Sequence, residues 1–225
     1  MKKESAPIRL ARALHWLSYQ VHQTAQEKGW WPQDRNNGEL IALCHSELSE
    51  AYEGSLNGNP PDDKVPAFTS WDAEFADTII RIFDMNAARK WNVHGIVAEI
   101  VFNDPLAVPN QIEIPVGSSQ EFQSAWKLAA RRTKKLELAT KFRVTKKNDA
   151  EIIAMMHLKL SLALEALRKP THAEGERSGV ETELAFAVIT AMKVAHARKT
   201  PLAEAILAKA EMNKTREIKH GGKAF

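Results

Sequence analysis

The stretch Glu39-Leu-Ile-Ala-Leu-Cys-His45 returns later in the chain as Glu151-Ile-Ile-Ala-Met-Met-His157, at an offset of 112 residues. The match continues without a gap, since Ser49-Glu50-Ala51-Tyr52-Glu53 meets Ser161-Leu162-Ala163-Leu164-Glu165. Shared histidine, serine and glutamate positions are not expected of two unrelated amphipathic helices. A fixed-period match of this kind indicates an internal repeat.

The repeat predicts the division of the chain. After the next loop, Glu74-Phe-Ala-Asp77 meets Glu183-Leu-Ala-Phe186 at an offset of 109, so the second copy has the shorter loop. We therefore predict a first unit over residues 1–104, a linker over 105–117 and a second unit over 118–225. A unit of three or four short helices buries little surface alone. The two units are expected to pack face to face as an intramolecular pseudo-dimer.

The apolar pattern predicts an all-α helical bundle. Apolar residues recur three or four positions apart through most of the chain, as on one face of an α-helix. The strand-like piece Gln111–Val116 is short and is interpreted as linker. The predicted helices cover Ile8–Lys28, Glu39–Tyr52, Asp72–Lys90, Ser119–Leu138, Asp149–Leu167, Val180–Ala197 and Leu202–Thr215.

The composition is that of an ordinary globular protein and excludes several classes. Hydrophobic residues make up 44% and charged residues 26%, with a net charge of +3. This weak basic excess disfavours a nucleic-acid partner, which usually requires a stronger bias on one face. Nothing approaches the roughly 20 apolar residues that span a bilayer, and no signal peptide is visible at the N-terminus. The single Cys44 cannot form an internal disulfide, so a reducing, cytoplasmic location is expected.

Two acidic pairs carry the chemical signal. Glu47 and Glu50 are three residues apart, as are Glu74 and Asp77, and each pair has apolar neighbours. This spacing puts both members of a pair on one helix face. Four converging carboxylates would repel one another, and burial would raise their pKa values. A divalent cation that prefers oxygen ligands resolves this conflict, although acids on an ordinary solvated helix face remain the alternative.

The second copy has lost this acidic set. The matching positions hold Lys159, Leu162, Glu183 and Phe186. Because two carboxylates are replaced by apolar residues, we expect these positions to face an interior, where an acid needs a partner. Lys159 would neutralise this second, degenerate site. His45 and His157 occur in both copies, so a structural role is favoured for them.

The acidic helices resemble those of the MazG-like all-α nucleoside triphosphate pyrophosphohydrolases. The resemblance rests on Gly38–Ala51 and Glu74–Asp84, which match an ExxE helix followed by an ExxD helix, and on Glu27–Trp31. It implies hydrolysis of a (deoxy)nucleoside triphosphate to monophosphate and pyrophosphate. It also implies Mg²⁺, with Mn²⁺ as an alternative, held by Glu47, Glu50, Glu74 and Asp77. Asp84 would be a further ligand or a sugar contact.

The C-terminal run Lys209–Lys223 is similar to the basic tail of shorter members of that family. In this chain the tail lies on the second unit, whereas the intact acidic set lies on the first. The resemblance therefore implies that the first unit supplies metal ligands and the second contacts the phosphates. The residues expected to contact substrate in the tail are Lys209, Asn213, Lys214, Arg216, Lys219 and Lys223.

Two adjacent tryptophans are further candidates for contact with the nucleotide. Trp30 and Trp31 are candidates for stacking on a base, with burial in the core as the alternative.

Two other functions compete with hydrolysis. They are a non-catalytic nucleotide-binding regulatory protein and a purely structural helical adaptor. A di-iron protein would need Glu-x-x-His pairs, which neither acidic pair has. Pairing with a second chain as a homodimer stays open.

Overall fold

The computed structural model describes residues 4–104, 117–134, 136, 149–169 and 179–222, and over these ranges the protein is all-helical. Within them the only β-type pairing is an isolated bridge between Pro61 and Thr69. The predicted all-α class is confirmed. The helices are α1 (Ala6–Glu27), α2 (Asn37–Leu56), α3 (Ser70–Arg89), α4 (Val93–Phe102), α5 (Ser119–Thr133), α6 (Asp149–Arg168), α7 (Gly179–Arg198), α8 (Leu202–Thr215) and α9 (Lys219–Gly222).

Local capping fixes where the two acidic helices begin. The Asn36 side chain accepts hydrogen bonds from the backbone N–H groups of Gly38 and Glu39 at the start of α2. Thr69 accepts from the N–H of Asp72 at the start of α3. Such caps satisfy backbone donors that have no partner within the helix. Both acidic pairs therefore lie on regular, well-defined helices.

The sequence pattern missed α4 and the short α9, and it misplaced the ends of α2 and α5. α4 was not predicted, because its residues are apolar on nearly every side and show no 3.6-residue alternation. It is capped by Asn92 and buries Val93, Ile96, Val97 and Val101. α5 ends at Thr133, short of the predicted Leu138, which lies outside the described residues. The predicted linker segment Gln111–Val116 also lies outside them.

The packing of the helices crosses between the two units. α2 pairs with α3 and α6 with α7, while α2 also packs on α6. The fourth helix of each unit crosses over, since α4 packs on α7 and α8 packs on α3. Buried residues from α1 to α8 form one hydrophobic cluster. This reciprocal arrangement is what an intramolecular pseudo-dimer would have, and the duplication itself stays a prediction.

A histidine pair lies where α2 meets α6. The rings of His45 and His157 stack with centroids 4.8 Å apart, and their Nδ1 atoms are 2.5 Å apart. The two residues hold equivalent positions in the repeat. Side chains at equivalent positions contact each other when they lie on a two-fold axis. Their place between two packed helices agrees with the structural role favoured for them.

Among the described helices, none combines the length and the apolar composition that crossing a bilayer requires.

Candidate metal and nucleotide site

A cavity of about 240 Å³ lies between α1, α2, α3 and α8. Most of the predicted site residues line it, although they come from both units. Those residues are Trp30, Glu47, Glu50, Glu74, Asp77, Asp84, Lys209, Asn213 and Arg216. The fold thus brings the acidic helices of the first unit and the tail of the second to one place.

Three of the four predicted metal ligands form a compact group. One carboxylate oxygen from each of Glu47, Glu50 and Glu74 lies within 4.8 Å of the other two. Glu47 and Glu74 are buried, whereas Glu50 is exposed. The three side chains offer the oxygen ligands that Mg²⁺ and Mn²⁺ prefer. Asp77 lies outside this group, one helical turn beyond Glu74.

Burial makes two of the predicted metal ligands, Glu74 and Asp77, costly to ionise. Burial raises the pKa of Glu74 to about 8, against the opposing attraction of Lys209 and with support from a hydrogen bond to Glu47 and repulsion from Asp77. Burial likewise raises the pKa of Asp77 to about 6, again against the attraction of Lys209. A carboxylate whose pKa is raised this far has too little positive charge around it to offset its burial. A divalent cation would supply that charge.

Lys209 projects from α8 into the acidic residues of the first unit and is only 1% exposed. Its Nζ lies 2.8 Å from Asp77 Oδ2, 3.5 Å from Asp62 Oδ2 and 3.6 Å from Glu74 Oε1. The resemblance implied a phosphate contact for Lys209. The structure instead places its ammonium among three carboxylates, because an unpaired charge at this depth would be strongly unfavourable.

Arg81 is a site residue that the sequence analysis missed. Its Nε donates to Glu47 Oε1 at 2.6 Å, and its terminal Nη2 lies 2.5 Å from the same oxygen. Arg81 follows Asp77 by four positions on α3, so the two residues share a helix face. This four-residue spacing could have identified Arg81 as a site residue from the sequence. The guanidinium fixes the orientation of Glu47 toward the group.

Asp62 is a second missed residue, in the loop between α2 and α3. It is 5% exposed, and its Oδ1 accepts the backbone N–H groups of Lys64 at 3.0 Å and Val65 at 2.8 Å. Its other oxygen faces Lys209. No local pattern marks this aspartate as a site residue, because only the packing of α8 on α3 brings Lys209 to it.

Asp84 lines the cavity one turn beyond Arg81. Its Oδ1 lies 2.7 Å from His22 Nδ1, and the indole Nε1 of Trp31 donates to both carboxylate oxygens at 3.0 and 3.1 Å. Trp31 does not line the cavity. It holds Asp84 in place, while Trp30 lines the cavity itself.

The rest of the predicted tail does not line the cavity. Lys214 is exposed and forms an ion pair with Glu211 at 2.8 Å. Lys219 uses its backbone N–H to bond the carbonyl of Lys28, and Lys223 lies outside the described residues. Basic residues that were not predicted line the cavity in their place. They are Lys28, Arg35, Lys64 and Arg81.

At the matching positions of the second unit, the side chains contact one another. Lys159 forms an ion pair with Glu183 at 2.9 Å, and its Nζ lies 4.7 Å from the centre of the Phe186 ring. Lys159 thus neutralises the remaining acid, as expected. The inference that these positions face an interior is wrong for Leu162, which is 40% exposed. Glu50, its counterpart, is exposed as well, because both lie on the outer side of their helix.

Comparison with known proteins gives no match. No family model, no curated protein and no solved structure matches the chain.

Proposed function

We propose that the protein hydrolyses a (deoxy)nucleoside triphosphate to the monophosphate and pyrophosphate with the help of a divalent metal ion. One observation carries the proposal. A compact group of carboxylates and a set of basic side chains line the same cavity. Carboxylates suit the metal ion, and the basic side chains suit phosphate oxygens.

The residues present fit a divalent ion. Glu47, Glu50 and Glu74 would hold it, since their oxygens can approach one centre. Burial and the neighbouring Glu47 raise the pKa of Glu74, and a divalent ion would offset the charge of the ionised carboxylate. When bound there, Mg²⁺ would supply positive charge to offset the phosphate oxygens and would favour deprotonation of the attacking water.

Glu50 is the carboxylate best placed to accept the proton of that water. It is the exposed member of the group, and its Oε1 accepts a hydrogen bond from Ser46 Oγ at 3.2 Å. Glu47 is instead bound by Arg81, and Asp77 by Lys209. The water oxygen would form a bond to the α-phosphorus while the bond from that phosphorus to the bridging oxygen breaks. Pyrophosphate leaves with the bridging oxygen, and Glu50 takes the proton.

The polyphosphate requires cations at the edge of the cavity. Lys28, Arg35 and Lys64 line it and come from the loops around α1, α2 and α3. Arg35 and Lys64 also form ion pairs with Glu39 and Asp63. Arginine and lysine bind phosphate oxygens through charge-assisted hydrogen bonds. These residues, together with Arg216, are the proposed phosphate contacts.

The nucleoside would lie near Asn213 and Trp30. Both residues line the cavity, and the Asn213 Oδ1 is buried without a hydrogen-bond partner among the described residues. A buried acceptor that makes no hydrogen bond is unfavourable. A hydroxyl or amino group of a nucleoside would satisfy it. The Trp30 indole offers a surface for stacking on a base.

The test is pyrophosphate release from the eight common ribo- and deoxyribonucleoside triphosphates with Mg²⁺. The Glu50→Gln variant keeps the shape of the side chain and removes the proton acceptor. It also weakens one of the three proposed metal ligands, so the assay is run at saturating Mg²⁺. The substitution should lower kcat by about a hundredfold or more, with substrate binding retained. Glu53→Gln is the matched control, because Glu53 is exposed on the same helix and does not line the cavity.

Each outcome decides between functions. Release that is lost in Glu50→Gln and kept in Glu53→Gln supports the proposal. No release from any nucleotide, combined with a raised melting temperature in nucleotide and Mg²⁺, would favour the non-catalytic nucleotide-binding protein. Neither release nor stabilisation would favour the structural adaptor.

A further inference from the structure

The position of Lys209 bears on how many metal ions the cavity accepts. Its ammonium contacts Asp62, Glu74 and Asp77, and all three carboxylates belong to the first unit or its loop. A lysine that is 1% exposed cannot turn outward without leaving these acids unpaired. It is therefore a fixed positive charge within the acidic site.

Glu74 belongs to two sets of contacts. Its carboxylate contributes an oxygen to the group with Glu47 and Glu50, and its Oε1 lies 3.6 Å from the Lys209 Nζ. In two-metal sites the ions lie about 3.5–4 Å apart, close enough for one carboxylate to contact both. Glu74 is placed like such a shared carboxylate. It faces the proposed ion position among the three glutamates on one side and the Lys209 ammonium on the other.

The charges agree with a single divalent ion. Five acids belong to the three-glutamate group or contact Lys209, namely Glu47, Glu50, Asp62, Glu74 and Asp77. Asp84 also lines the cavity, but it is bound by Trp31 and His22 instead. Lys209 compensates one of these charges and Arg81 a second. One divalent ion compensates two more, so a second such ion would find little negative charge left before substrate binds. Repulsion between a second ion and the nearby ammonium would weaken its binding further.

The same contacts leave little opportunity for Lys209 to bind phosphate. Its Nζ has three donors, and three carboxylates lie around it within 3.6 Å. A phosphate oxygen would have to displace a carboxylate from a buried ion pair. Such displacement is strongly unfavourable because it leaves a buried charge without a partner.

We propose that the Lys209 ammonium takes the place of a second divalent ion, so that the chain binds one such ion at Glu47, Glu50 and Glu74. The inference rests on the metal site of the proposed function and assigns its stoichiometry. Lys209 acts as a positioning residue, which holds Asp77 and Glu74 in place beside the ion. Because Lys209 comes from α8, the second unit thereby determines how many ions the first unit binds.

The test counts bound Mn²⁺ on the whole chain, by electron paramagnetic resonance of the free ion during titration. The expected count is one ion per chain in the wild type and two in Lys209→Met. The two ions in the variant should also show spin coupling, since they would lie close together. Lys127→Met is the matched control with one ion, because Lys127 is half exposed on α5 and does not line the cavity.

Several results would overturn the inference. Two ions in the wild type, or one ion in a folded Lys209→Met variant, would show that the ammonium does not replace an ion. Lys209→Gln serves the same purpose if the methionine variant fails to fold. Two ions in an active wild type would leave the proposed hydrolysis standing. One ion in the wild type and two in Lys209→Met, without hydrolysis of any nucleotide, would support the inference and remove the proposed function.

Discussion

The Nζ of Lys209 lies 2.8 Å from Asp77 Oδ2, although the two residues belong to opposite halves of the chain. The lysine is almost fully buried and the aspartate largely so. α8 of the second unit must pack on α3 of the first before this contact can form. The charge balance of the cavity therefore depends on the crossing of the fourth helix between the units.

Removing Lys209 should destabilise the protein through the acids that it leaves behind. We expect Lys209→Met to lower the free energy of unfolding by about 3–5 kcal/mol, because breaking a buried ion pair leaves an uncompensated charge. Adding Asp77→Asn should recover part of this loss, since the amide carries no charge. Urea unfolding of both single variants and the double variant, without divalent ions, measures the coupling.

Lys214→Met provides the comparison on the same helix. Lys214 and Glu211 are both exposed, so the free energy of unfolding should stay within about 0.5 kcal/mol of the wild type. Strictly additive effects of Lys209→Met and Asp77→Asn would contradict the assigned ion pair.

The repeat supplies a matched pair of substitutions at equivalent positions. Glu74→Gln should abolish Mn²⁺ binding and hydrolysis, because it removes a ligand shared by the three-glutamate group. Glu183→Gln should leave both unchanged, since Glu183 pairs with Lys159 in the degenerate site. Calorimetric titration with Mn²⁺ and the pyrophosphate assay check the two variants side by side. Equal losses in both would show that the second site also functions.

A buried histidine should make stability depend on pH in the acid range. Burial lowers the pKa of His94 to about 3, with further repulsion from His15, whose ring stacks on it at 4.5 Å. A histidine with a lowered pKa stays neutral in the folded chain while the unfolded chain gains a proton. The contribution of neutral His94 to the free energy of unfolding is complete above about pH 6.5 and decreases as the pH falls toward 3. At pH 5 the loss is about 2 kcal/mol.

The His94→Gln variant isolates this contribution. We expect its free energy of unfolding to change less between pH 7 and pH 5 than that of the wild type, by about the same 2 kcal/mol. Urea unfolding at the two pH values gives the comparison. A pH dependence identical to that of the wild type would mean that His94 does not remain neutral in the folded chain.

Trp30 should contribute to nucleotide affinity rather than to the chemical step. Stacking of a base on an aromatic side chain is worth about 1–3 kcal/mol by alanine substitution. Trp30→Ala should therefore raise KM about tenfold with a smaller change in kcat, whereas Trp30→Phe should stay close to the wild type. Steady-state kinetics separate the two effects. A KM that is unchanged in Trp30→Ala would place the base elsewhere.

Much of the fold could be predicted because most helices carry a clear 3.6-residue pattern. α4 could not, since its near-continuous apolar run around Ile96 reflects burial between α1 and α7 rather than one exposed face. The error at Leu162 has a related cause. An apolar residue on a helix was taken to face the core, yet 40% of Leu162 is exposed, as often happens for single apolar residues at protein surfaces.

The site could be predicted where its residues follow local spacing or carry the resemblance to a known family. Glu47, Glu50, Glu74 and Asp77 were found as pairs three positions apart. Arg81 has a comparable signal, four positions after Asp77, that was not used. Asp62 has none, because its role depends on a long-range contact with Lys209.

The role of the C-terminal tail could be predicted only in part. Lys209 was placed at the site by its resemblance to a basic tail, but the resemblance did not reveal that carboxylates would be its partners. Charge type can be read from a sequence, whereas the depth at which a lysine is buried depends on how helices cross. In this protein that crossing brings α8 onto α3.

The most direct test of the proposed reaction is hydrolysis of a substrate nucleotide in ¹⁸O-labelled water with Mg²⁺, followed by mass spectrometry of both products. We expect one labelled oxygen in the nucleoside monophosphate and none in the pyrophosphate, because water would attack the α-phosphorus. Label in the pyrophosphate, or products other than monophosphate and pyrophosphate, would contradict the proposed reaction.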